Sequence, residues 1–145
     1  MGGCKDPAER ERDEYLLLKE QLMIMTRTPT ADLEPEVERL ASLSISSARV
    51  QSARDTCEEA YRSLSSAYQN HQTVKKSIAS LDDLVAGGDV EDLDTEEAAR
   101  ALEMIEEAEV NLEESMELIE GASERVRECH DALDDLEAAG VGRHR

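Results

Sequence analysis

The chain has 145 residues, a net charge of −19, no Phe or Trp and only three Tyr. Without large aromatic rings there is little to fill a thick core, and without alternating Val, Ile, Thr and aromatic runs or hairpin turn pairs there is little to make strands, so the composition points to a single all-α domain. The charge is uneven, with 7 basic and 10 acidic side chains in residues 1–50, 4 and 5 in 51–88, and 5 and 20 in 89–145, a field that repels nucleic-acid phosphates and anionic lipid headgroups and admits basic protein surfaces.

Residues 1–5 read as a flexible start. Asp6-Pro7-Ala8-Glu9 then carries the marks of a helix N-terminus. Asp6 caps, Pro7 takes the first helical position, where a missing N–H costs nothing, and Glu9 closes a capping box. The first helix is predicted over about 7–27, stopped by Pro29. Its apolar residues Tyr15 to Leu18 and Leu22 to Met25 wrap most of the circumference, more than one buried face requires, so Leu17 and Ile24 are candidate partner contacts.

Asp32 is the expected cap of the second helix, with Pro35 in the first turn. No Gly and no further Pro follow until Gly87, which predicts one helix over about 33–86, roughly 80 Å long at 1.5 Å per residue. Gly87-Gly88 and the acidic box Asp94-Thr95-Glu96-Glu97 bracket a turn at 87–94. The third helix is predicted over about 95–139, with Gly140 and Gly142 ending it and 140–145 a flexible tail.

Two apolar seams with alternating steps of three and four run along the long helices. One passes from Leu43 and Ser46 through Cys57, Ala60 and His71 to Val85, the other from Ala98 through Ser115, Ala122 and Cys129 to Leu136. One of the two core positions in each seam is mostly Ala or Ser, which lets backbones approach closely. The expected fold is therefore an elongated antiparallel helical hairpin with an Ala-rich coiled-coil seam, and a shorter N-terminal helix packed at its base, three helices in all. Side-chain sizes favour a register that sets Ala53 on Cys129, Cys57 on Val126, Ala60 on Ala122 and His71 opposite Leu112. In that register Cys57 and Cys129 fall in successive layers, and both read as unpaired core residues. Three cysteines without a close pair suggest a reducing, cytoplasmic compartment.

No Ser-His-acid arrangement, phosphate-binding loop or metal-ligand spacing is present in the sequence, so no enzyme activity and no cofactor are expected. The first helix, folded back with Ala8 at the level of Arg54, does not reach Tyr61, Tyr68, Leu102 and Met116. Those four form the expected partner flank. Glu106, Glu113 and Glu120 recur every seven residues as a solvated acidic face. Gly2 and Cys4 are the pair a doubly acylated N-terminus would show, although Asp6 stands where that pattern wants Ser or Thr. The leading expectation is a non-catalytic structural or adaptor subunit that assembles with itself or other proteins through helical faces. The alternatives are an acidic decoy or chaperone that holds a basic protein through the third helix, and a helical spacer anchored to membrane by lipid on Gly2 or Cys4.

Overall fold

The computed structural model describes residues 6–87 and 95–142, with side chains given for all of these except 84–87. The described residues are almost entirely helical and contain no strand. There are four α-helices: α1 (Pro7–Arg27), α2 (Leu33–Ala41), α3 (Ala48–Gly87) and α4 (Thr95–Ala138). A single 3-10 turn, Thr30–Asp32, joins α1 to α2. The described residues form two compact units, one drawn from 6–65 and 122–142 and the other from 66–87 and 95–121.

The expected single helix over 33–86 is two helices, and the three-helix count gives way to four. The break lies at 42–47, the stretch Ser42-Leu43-Ser44-Ile45-Ser46-Ser47. Ser side chains compete for nearby backbone groups and disfavour a helix interior. Ser42 Oγ turns back onto the Glu38 carbonyl, and the Ser47 hydroxyl faces the Val50 N–H as an N-cap of α3. Leu43 and Ile45 are half-buried while Ser42, Ser44 and Ser46 are exposed, an extended period of two. The buried Arg54 guanidinium donates to the Ala41 and Leu43 carbonyls and so satisfies the open end of α2.

At the other boundaries the capping is mixed. Asp6 caps α1 through Oδ1, 3.4 Å from the Ala8 N–H. Asp32 stands at the α2 N-cap position but makes no side-chain capping bond. The end of α4 corrects the expectation of a loose tail from residue 140. Gly140 N–H donates to the Glu137 carbonyl and Val141 N–H to the Leu136 carbonyl, with Gly140 at φ 92°. That pattern is a Schellman cap, whose apolar contact here is between two buried residues, Val141 and Leu136. The expected flexible start, the turn beyond Gly87, Asp94 and the last three residues lie outside the described residues.

The first unit holds the main core. Tyr15, Leu18, Leu22 and Met25 of α1 meet Leu33, Val37 and Leu40 of α2, with Val50, Ala53, Cys57, Ala60 and Tyr61 of α3. Cys129, Leu133 and Leu136 of α4 close the cluster together with Val141. Because α2 doubles back on α1, with Gln21 Nε2 bonded to the Glu36 carbonyl and carboxylate, α3 then runs in the same direction as α1. Glu11 accordingly meets Arg49 near the start of both helices, and Thr26 reaches the Tyr61 hydroxyl near the end of α1. The expected antiparallel fold-back, with Ala8 beside Arg54, is reversed.

Within this unit Cys57 and Cys129 form a disulfide with Cα atoms 4.7 Å apart. Both are fully buried. The expected register, with Cys57 on Val126, is thus shifted by half a heptad. In the second unit His71 Nδ1 bonds Ser115 Oγ at 3.0 Å, in place of the expected Leu112. Each of these two pairs sums to 186 in residue number. The physical reason is directional. Reversing one helix exchanges the order of its three- and four-residue steps, so the first seam position of one helix lies level with the second seam position of the other. Size matching by like positions misses this. The premise for a reducing compartment, unpaired cysteines, falls with the same observation.

Candidate functional site

The buried stripe of α1 is Tyr15, Leu18, Leu22 and Met25, spaced 3, 4 and 3, the spacing that aligns side chains on one helical face. Glu14 and Gln21 lie beside this stripe and are also buried. The opposite face carries Leu16, Leu17, Met23 and Ile24, which are 41%, 47%, 49% and 43% exposed. A helix with one packed face normally presents polar side chains on the other. Here the outer face is largely apolar, with Glu20 on its midline, Asp13 and Arg27 at its two ends and Lys19 at its edge. Between it and the α1–α2 turn runs an open depression of about 730 Å³, from Leu16 to Asp32.

Two polar clusters hold α1 so that this face stays outward. The Glu14 carboxylate accepts from Ser46 N–H, Ser46 Oγ and Ser47 N–H at 2.8, 2.7 and 2.9 Å. It thereby serves as a cap, supplied from another helix, for the start of α3, where a negative charge suits the helix dipole. Burial alone would raise the Glu14 pKa, but the bonds from Ser46 and Ser47 outweigh it and hold the carboxyl below its ordinary value. One turn earlier Glu11 accepts from Arg49 and from Ser47 Oγ, and the Arg49 bond chiefly lowers its pKa.

At the far end, Tyr61 Oη lies 3.0 Å from His130 Nε2, with the rings edge to face. Burial pushes the Tyr61 phenol pKa up. Burial does the same for Tyr15, reinforced by the negative charges of Glu137 and Asp134. Glu11, Glu14 and Tyr61 have defined partners in the packing of the unit, whereas the buried Tyr15 hydroxyl makes no hydrogen bond among the described residues.

The sequence-predicted site residues separate. Tyr61 is 3% exposed, part of the core, and leaves the expected flank because α1 runs the opposite way and covers it. Tyr68 is half-buried, while Leu102 and Met116 are exposed on α4 in the second unit. Leu102 and Met116 are two heptads apart, roughly 21 Å along the helix, so they do not make one contact point. Leu17 and Ile24 do stand together, joined by Leu16 and Met23. Glu106, Glu113 and Glu120 are exposed on α4. Gly2 and Cys4 lie outside the described residues.

No family model, curated protein or solved structure matches this chain.

Among the described residues, no group of three His, Cys, Asp or Glu side chains is placed to hold a metal ion, and no helix is long and apolar enough to cross a membrane. The His71 and Ser115 pair forms a polar layer in a seam otherwise made of residues such as Val74, Ile78 and Ala108. Ser115 Oγ donates to the Leu112 carbonyl, which leaves it to accept from His71 Nδ1–H. The sequence signal for this role is a single His in an apolar seam, and its partner required the correct register.

Proposed function

We propose that the chain is a non-catalytic structural or adaptor subunit that assembles with protein through helical faces. The observation that carries this reading is the outer face of α1, four large apolar side chains opposite a stripe already buried in the core. Exposed single apolar residues are ordinary, but a cluster of them on one helical face marks a protein contact. In this reading the His71 and Ser115 pair fixes the register of α3 on α4 within the second unit.

The test is a Leu17→Lys, Ile24→Lys variant, compared with the wild type by gel filtration of native extract. Wild-type chain should elute in an assembly larger than one chain, and the variant should elute as one chain with unchanged helix content. A wild type that elutes as a single chain in native extract would sink this reading.

A further inference from the structure

We propose that the outer face of α1 pairs with the same face of a second copy of this chain, the two α1 helices lying antiparallel about a two-fold axis beside Glu20. The proposal rests on the assembly reading above and names its partner.

The outer face of α1 is symmetric along the helix about Glu20. Leu16 and Ile24 are equidistant from Glu20, and so are Leu17 and Met23. Asp13 and Arg27 are likewise equidistant, with opposite charges. All seven positions fall on the face opposite the buried stripe, by the 3.6-residue repeat. A two-fold axis at Glu20 therefore sets Leu16 against Ile24 of the partner subunit and Leu17 against Met23 of the partner subunit. It also sets Asp13, which lies 3.9 Å from Arg12 in its own chain, within reach of Arg27 of the partner subunit. A self-complementary patch of this kind is what an isologous dimer requires, each contact being made twice.

Charge on this face is mixed, Glu20 repelling its own copy on the axis while Asp13 and Arg27 attract across it. The chain carries −19 overall, and α4 bears an acidic row that repels its own copy. The α1 face instead alternates Asp13, Lys19, Glu20 and Arg27. Glu20 meets its own copy on the axis, with a Lys19 from each chain at the edge of the contact. Four large apolar side chains per chain make an interface at the small end of the range, so the dimer should dissociate on dilution.

The experiment is light scattering of purified full-length chain from micromolar to submillimolar concentration, with two sets of variants. Wild type should move from one-chain to two-chain mass. Arg27→Glu should weaken the dimer ~tenfold, and the exchange Asp13→Arg with Arg27→Glu should restore it, because the pair is remade with its signs reversed. Glu20→Cys in a Cys4→Ser background should give a disulfide-linked dimer under mild oxidation, since the axis brings the two copies of that position together. One-chain mass at every concentration overturns the proposal. So does a dimer that the charge exchange does not rescue and that Glu20→Cys does not link. One-chain mass of the purified protein, together with a larger α1-dependent assembly in native extract, overturns the dimer and leaves the adaptor reading standing.

Discussion

Gly142 lies against the ring of Tyr15 so closely that a Cβ built on the glycine would sit 2.6 Å from two ring carbons. Its φ of 90° is also a conformation that residues with a side chain adopt at a cost. The contact joins the end of α4 to the buried stripe of α1, and the Schellman cap at Gly140 turns the chain to reach it.

Gly142→Ala should therefore destabilise the fold by about 2–3 kcal/mol, combining backbone strain with displacement of a buried ring. Gly140→Ala has the same sign of φ but nothing within 4 Å of the new methyl, and should cost about 1 kcal/mol. Gly121, inside α4 with open space around it, should gain up to about 1 kcal/mol as Ala. Thermal melting of the three single variants checks the order.

Reducing the Cys57–Cys129 disulfide should lower the melting temperature. The crosslink spans 72 residues, for which the loop-entropy model gives about 4 kcal/mol. Melting with and without reductant measures this, and the Cys57→Ala, Cys129→Ala double variant should be insensitive to reductant. An unchanged midpoint in the wild type would show that the two thiols do not bridge.

The lowered pKa values of Glu11 and Glu14 set the sign of the acid response. A carboxyl with a depressed folded pKa binds its proton less readily in the folded state. Its contribution is fully present above the unfolded value of about 4.3 and is lost as pH falls through the lower folded value. Stability should drop below about pH 4.5, and a Glu11→Gln, Glu14→Gln variant should be less stable at neutral pH with a flatter acid limb. Denaturant titrations between pH 3 and 7 read both, and equal slopes in wild type and variant would contradict the capping role.

Exchange of Glu106, Glu113 and Glu120 for Gln should leave the helix content unchanged, because all three are exposed on α4. Like charges in a row repel, so the variant should melt slightly higher at low salt. Circular dichroism decides it, and a loss of helix would make these carboxylates structural.

Much of the architecture is written locally. Asp6-Pro7 announces α1, Gly140 announces the end of α4, and the three-four repeats announce seams on both long helices. The misreadings arise where a local pattern has two meanings. Leu43 and Ser46 continue the heptad count without a skip, which conceals the Ser-rich break before α3, although the alternation of Leu43 and Ile45 with serines was there to see. Val141 looks like part of a tail because its core contact is tertiary. The register was legible only through chain direction, since sizes alone admit several matches. Tyr61 moved from surface to core because one helix break reversed the direction of α1 relative to α3. The exposure of Leu17 and Ile24 is legible from the surplus of apolar residues on α1, which does not depend on which way the helix runs.

Helix α1 is apolar on two sides, one packed in its own core and the other exposed, where we propose a protein contact. Met25 and Met23 report the two sides, being 2% and 49% exposed. Peroxide oxidation of both, followed by peptide mass spectrometry on dilute chain, concentrated chain and native extract, tests it directly. Met25 should react slowly in all three, and Met23 should react fast in dilute chain and become protected in at least one of the others. Met23 reacting at its dilute rate under every condition would contradict the account.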